Sequence, residues 1–186
     1  MWYTKRMGYS YKKLYEKSAA YFEARPKAKK ALPVLDKCIT GAFGLAYIFL
    51  WVYAIFWGKF PVRGYIRIAF IPLLSLFLVS VLRAMIARPR PYSEKGAGIT
   101  PLKKRKGSEE DSFPSRHLAC AVSIVLCFFP SLPIVGGGLL ALAVVLAWVR
   151  FALGLHYPSD LLAGGAVGSI VAGLYYLLEF VFAMLA

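Results

Sequence analysis

Acidic residues are scarce in this chain of 186 residues: nine Asp and Glu stand against 23 Lys and Arg, for a formal net charge of +14. Charge of either sign is also sparse, at 17% of residues, where a soluble domain typically carries about 25%. With 59% hydrophobic residues and a mean hydropathy of +0.60, the composition excludes an ordinary soluble domain and a disordered chain alike. The length allows one domain or one compact bundle of membrane helices. Cysteine is too rare, and too unpaired, for a disulfide framework or a thiolate metal site: Cys38, Cys120 and Cys127 are three, with no CxxC. No cluster of carboxylates offers itself to a metal either, so no metal or other cofactor is expected. Histidine occurs only twice, as His117 and His156. The positive excess suits anionic lipid or nucleic acid. In a chain this apolar, with no soluble scaffold to present its basic residues, the expected partner is the lipid bilayer and not nucleic acid.

Long uncharged runs are what the sequence has instead. Cys38 to Trp57 is 20 residues without a charge, enough to cross a hydrocarbon core of roughly 30 Å. Gly64 to Ala87 follows, with Arg67 and Arg83 near its ends, where long side chains snorkel. The apolar stretch from His117 to Arg150 is broken by Pro130-Ser131-Leu132-Pro133, which predicts two helices, near Ser115–Phe129 and Ile134–Leu155. Leu161 to Ala186 carries only Glu179. The expected fold is therefore all-α: a polytopic membrane bundle of about five transmembrane helices.

Residues 1–37 form a separate basic segment ahead of the transmembrane part at 38–186, with ten Lys and Arg and three acids. Tyr11, Leu14, Tyr15, Ser18 and Phe22 share one helical face, which predicts an amphipathic helix at the membrane surface, ended near Arg25-Pro26. No apolar stretch follows the early charges as in a cleaved signal peptide. Between the second and third spans, residues 88–113 make a long polar loop, whose Lys103–Lys106 run reads as a solvated, lipid-facing patch.

Three polar islands interrupt the apolar bundle: Arg83 to Arg90-Pro91, Pro114-Ser115-Arg116-His117, and Arg150 to His156 and Asp160. Successive spans alternate in direction, so all three islands fall at one end. Taken singly, each arginine suits a headgroup contact at a helix end, and Asp160 suits a helix cap. Together, Arg83, Arg90 and Arg150 would repel one another without an anion between them, and guanidinium groups grip phosphate oxygens in a fork. Two histidines beside that anion are the parts for phosphoryl transfer, one to attack phosphorus and the other to protonate the leaving oxygen. Asp160, four residues after His156, is spaced to hold the imidazole's second nitrogen.

These islands resemble the signature of the type-2 phosphatidic acid phosphatase superfamily: Lys-x6-Arg-Pro, Pro-Ser-Gly-His, and Ser-Arg-x5-His-x3-Asp. The resemblance covers about Arg83 to Gly165. It implies a helical membrane enzyme that removes phosphate from lipid phosphates and polyprenyl diphosphates without metal. It further implies His156 as nucleophile forming a phosphohistidine, Asp160 as its orienting residue and His117 as general acid. Arg90 and Arg150 correspond to phosphate clamps, and Ser115 to a hydrogen-bond donor to the same group.

Three positions depart from the signature. Arg83 replaces lysine, Val149 replaces the serine before Arg150, and Arg116 replaces glycine. Arg116 places a cation where a close backbone approach is expected, suited to a substrate headgroup or a second phosphate. The family commonly has six spans; with a surface helix in place of the first, the N-terminus and the site should share one end. The expectation is a phosphatase for a membrane lipid such as undecaprenyl diphosphate, phosphatidic acid or phosphatidylglycerol phosphate, in a bacterial cell membrane. The alternative is a non-catalytic protein that binds or moves anionic lipid with the same basic cluster.

Overall fold

Proline sets three of the helix starts: Pro26, Pro133 and Pro158 each stand at a first helical residue, where the missing N–H costs nothing. The computed structural model describes residues 2–58, 60–93, 95–103 and 111–185, with side chains from Tyr11 onward. It contains α1 (Trp2–Glu23), α2 (Pro26–Phe56), α3 (Val62–Ile86), α4 (Arg116–Phe128), α5 (Pro133–Ala152) and α6 (Pro158–Leu185), and no strand among the described residues. Helices α2, α3, α5 and α6 are long and apolar enough to cross a membrane; α4 is a shorter apolar helix. The expected all-α bundle of five apolar helices behind an amphipathic one is what forms. The first apolar run differs in its start. Helix α2 begins at Pro26 and runs through Pro33 without a break, so the basic residues 27–37 are its opening turns.

The shortest apolar helix lies at the centre. α4 touches α2, α3, α5 and α6. Its Leu118, Ala119, Ala121, Val125, Cys127 and Phe128 are all buried, the pattern of a helix enclosed on every side. The outer helices keep large apolar side chains exposed, among them Leu45, Phe49, Leu73, Phe77, Val144 and Leu174, as a lipid-facing surface requires. Arg67 and Arg83 do not snorkel. Both are buried, and Arg67 reaches Ser131 Oγ at 3.4 Å.

Helices α4 and α6 meet through small residues. A Cβ at Gly164 would overlap the carbonyl oxygen of Ser115, and one at Gly168 would lie 2.7 Å from the carbonyl oxygen of Ala119. Glycines four apart let two helices approach backbone to backbone. That approach sets the start of α4, with Ser115 and His117, beside the start of α6, with Asp160; the Ser115 N–H donates to the Asp160 carbonyl at 2.9 Å.

Helix α1 forms as expected, but its buried face is Tyr11, Tyr15, Ala19 and Phe22, whereas Leu14 is exposed. Tyr11 and Tyr15 pack with Ile99 and Tyr157 against the polar loop and the α5–α6 turn. The Tyr15 hydroxyl donates to the Thr100 carbonyl (3.0 Å) and accepts from the Leu102 N–H (3.1 Å). The aromatic face of α1 is thus covered by protein, at the end of the bundle that carries the three islands. Gly154, in the α5–α6 turn, has φ +75°, a conformation that suits glycine, and its α-carbon faces the Tyr15 ring.

The close approach of α4 and α6 yields a test. Gly164→Ala is expected to lower stability by about 1–3 kcal/mol, because backbone must move to admit the methyl group. Gly173→Ala, where a Cβ meets open space, should leave the melting temperature in detergent unchanged or slightly raised, since alanine favours helix. Equal responses of the two variants would contradict this packing.

Candidate active site

Arg83, in the last turn of α3, points across the bundle to the second island. Its Nη1 donates to the Pro114 carbonyl at 3.0 Å, and its Nη2 pairs with Asp111 Oδ2 at 2.7 Å. Ala87 then takes a left-handed conformation, φ +42°, and the chain leaves α3 sharply into Arg88-Pro89-Arg90-Pro91. Arg90 is fully buried. It donates to Asp111 Oδ1 through Nε (3.1 Å) and Nη2 (2.7 Å), and through Nη1 to the Leu155 carbonyl at 3.1 Å. Asp111 therefore sits between two guanidinium groups. Burial alone would raise its pKa, but the hydrogen bonds from Arg83 and Arg90 outweigh it and hold the carboxyl below its usual range. Arg116 reaches toward the same carboxylate, Nη2 to Oδ2 at 3.9 Å.

His156 lies in the α5–α6 turn, 1% exposed. Its Nδ1 is 2.9 Å from the Ser112 carbonyl oxygen and 3.7 Å from Asp160 Oδ2. The carbonyl can only accept, so Nδ1 carries the proton and Nε2 keeps its lone pair. Asp160 is completely buried and directed elsewhere. Oδ2 accepts from the Ser112 hydroxyl and from the Tyr157 N–H (2.9 Å); Oδ1 accepts from Arg88 Nη1 at 2.7 Å. In this geometry Asp160 holds the segment that holds the imidazole, and the Ser112 carbonyl is the direct partner. Arg88 also lies 4.2 Å over the Tyr157 ring. Burial, reinforced by the charges of Arg90 and Arg150 and opposed by Asp160, pushes the His156 pKa down to about 4. The ring is neutral at pH 7.

Two adjoining cavities open beside His117. A polar chamber of about 310 Å³ is lined by Asp36, Lys37, Thr40, Lys103, His117, Arg150 and Leu155. A groove of about 390 Å³ is mainly apolar, with Phe43, Leu76, Ala121, Ile124 and Leu146 beside Arg116 and His117. Thr40 and His117 line both. Arg150 is buried and reaches Asp36 Oδ1 at 3.0 Å. Ser115 Oγ is buried and has no hydrogen-bond partner. Val149, the departure beside Arg150, is wholly buried among core side chains, where a methyl group packs in place of a hydroxyl.

All eight candidate residues thus gather at one end of the bundle, in two layers. His117, Arg116 and Arg150 face the cavities; Arg83, Arg90 and Asp160 brace the loops behind His156. Beyond the eight candidates, Asp111, the Ser112 carbonyl, Arg88, Asp36 and Lys103 also take part in the site. Arg88 stands within the first island, Asp111 and Ser112 lie just before the second, and Asp36 is a lone acid entering an apolar helix. Lys103 turns inward and does not face lipid: its Nζ bonds Asp36 Oδ2 at 3.1 Å, and its side chain stays partly exposed. The rest of that basic run, 104–106, lies outside the described residues. Among the described residues no group of three or more His, Cys, Asp or Glu stands together to hold a metal ion.

Burial of a neutral His156 has a consequence for stability. The unfolded chain takes up a proton on this histidine below about pH 6.5, whereas the folded chain resists it until about pH 4. Stability should therefore fall as pH drops through that window. Melting curves in detergent at successive pH values should lose this slope in part in His156→Gln; an unchanged slope would contradict the assignment.

The sequence profile of the PAP2 superfamily matches residues 64–182. The chain is 34% identical over 128 residues to YbjG of Escherichia coli K12, named as an undecaprenyl-diphosphatase, covering 68% of this chain and 61% of that one. It is 32% identical over 96 residues to a lipid A 1-phosphatase of Rhizobium johnstonii, covering 51% and 39%. It therefore spans less than two thirds of either relative. The fold resembles that of the Bacillus subtilis PAP2-type phosphatidylglycerolphosphate phosphatase, with TM-score 0.57 at 21% identity, over 92% of this chain and 95% of that one. It also resembles Aquifex aeolicus LpxE, with TM-score 0.54 at 21% identity, over 77% and 86%. With four spanning-length helices and a family profile matched over more than half its length, the chain is a multi-pass membrane protein of the PAP2 superfamily.

Proposed function

We propose that the protein is a metal-independent lipid phosphatase that removes phosphate from a membrane lipid phosphate or polyprenyl diphosphate through a phosphohistidine on His156. The observation that carries this reading is the Nδ1 contact to the Ser112 carbonyl, which leaves Nε2 of a buried, neutral imidazole as a nucleophile. His156 Nε2 attacks phosphorus, and the bond from phosphorus to the leaving oxygen breaks. His117, at the junction of polar chamber and apolar groove, gives that oxygen its proton while the lipid chain lies in the groove. His117 then takes a proton from water, whose oxygen attacks phosphorus, releasing phosphate and restoring His156. Arg150 and the Ser115 hydroxyl stabilise charge on the transferred group, while Arg83 and Arg90 keep the loops around it in place. Arg116 lines the groove beside His117, suited to the part of the headgroup nearest the lipid. The names of the relatives support a lipid phosphate substrate in a bacterial cell membrane.

Purified protein in detergent with EDTA should release inorganic phosphate from at least one lipid among undecaprenyl diphosphate, phosphatidic acid and phosphatidylglycerol phosphate. Binding of these lipids without any turnover would instead favour the non-catalytic reading. His156→Ala should abolish release with every substrate. His117→Ala should lose about 10²–10⁴-fold with a lipid alkyl phosphate, and less with an aryl phosphate whose leaving oxygen needs little protonation. Asp160→Asn should fall between wild type and His156→Ala, since it loosens the Arg88, Ser112 and Tyr157 contacts without removing the nucleophile. Full activity in His156→Ala would overturn the assignment.

A further inference from the structure

The polar chamber is built partly from outside the matched region. Asp36, Lys37 and Thr40 come from α2, which ends before residue 64, and meet Lys103, which belongs to the matched region and comes from the long loop. Asp36 is buried, and its two oxygens face two different cations: Oδ1 is 3.0 Å from Arg150 Nη2, and Oδ2 is 3.1 Å from Lys103 Nζ. Lys37 lines the same space. Three cations and one carboxylate thus surround the chamber, a surplus of two positive charges before His117 is considered. Arg150 is buried, Lys37 is exposed and Lys103 is partly so, and together they present a positive lining to an anion that enters. The Lys103 side chain is 29% exposed, so its ammonium can hold Asp36 and still turn donors toward the chamber.

We propose that Lys103, held in place by Asp36, is a specificity-determining residue that binds the second phosphate of a diphosphate headgroup. This rests on the reading of the protein as a lipid phosphatase, and it adds which headgroup the site prefers. Arg150 and Ser115 take the phosphate to be transferred, and Lys103 takes the charge that a monophosphate lacks. Asp36 is the positioning residue: it keeps Arg150 and Lys103 on one carboxylate, so their spacing is set before substrate arrives. The chamber volume, about 310 Å³, is at the low end for small-molecule sites, enough for a headgroup while the lipid chain lies in the neighbouring groove.

Two measurements on the intact protein in detergent test this. The first is calorimetric binding of methylenediphosphonate, which cannot be hydrolysed between its phosphorus atoms, and of inorganic phosphate. Lys103→Gln should weaken methylenediphosphonate by about tenfold, the scale of one charge-assisted hydrogen bond, and change phosphate affinity by less than about threefold. Lys103→Arg should restore the diphosphonate affinity, which a merely structural loop contact to Asp36 would not require. The second is kcat/KM for farnesyl diphosphate against farnesyl monophosphate, which share one chain and differ by one phosphate. Lys103→Gln should lower the ratio by the same factor. Equal losses for both ligands, or no loss, would overturn the proposal. No phosphate release from any lipid, with the binding difference intact, would refute the phosphatase reading and leave the diphosphate subsite standing.

Discussion

The Asp111 carboxylate, clamped between Arg83 and Arg90, is the contact on which the rest of the site depends. Two guanidinium groups enter the apolar bundle within seven residues of one another, and neither reaches solvent freely. A buried cation without a partner is strongly destabilising, so the loop that precedes α4 must bring an anion to them. Asp111 does so. The same arginines then reach the carbonyls of Pro114 and Leu155, which ties the ends of all three islands into one network. Ser112, next in sequence to Asp111, is thereby placed with its carbonyl on His156 and its hydroxyl on Asp160. Electrostatic necessity in the first island becomes imidazole geometry in the third.

A second carboxylate organises the other side. Asp36 joins Arg150 to Lys103 and draws α2 into a site whose matched region begins only at residue 64. The chamber that Asp36 lines is bordered also by His117 and Arg150. Helix α1 closes this end from outside, with Tyr11 against Tyr157 at 4.7 Å between ring centroids and Tyr15 on the Gly154 turn. The turn that carries His156 is held from within by hydrogen bonds and from without by aromatic packing. Both constraints limit the motion of the imidazole, as the proposed attack of Nε2 on phosphorus requires.

Much of this was legible in the residues. Helices α3 to α6 begin and end within about three residues of the expected apolar runs, the usual spread for helix boundaries. The three islands meet because spans alternate in direction, which needs only their number. What stayed hidden were pairings between distant segments. Nothing local to Lys103 separates it from its basic neighbours; only the fold brings it to Asp36, 67 residues away in sequence. The direct partner of His156 is a backbone carbonyl, and a carbonyl leaves no trace in residue identity. The face of α1 was half readable. Its aromatic stripe was visible, but whether such a stripe meets lipid or protein depends on what lies opposite, and Ile99 and Tyr157 lie opposite.

In the proposed mechanism a neutral His156, fixed through Nδ1, carries the phosphoryl group on Nε2. Rapid quenching of the enzyme during turnover of a radiolabelled lipid phosphate, followed by digestion and mass spectrometry, tests it directly. The expected result is an acid-labile, base-stable phosphate on the peptide containing His156, formed and lost at rates that support turnover. Label on the peptide containing His117, or turnover with no phosphorylated peptide at any time point, would contradict it.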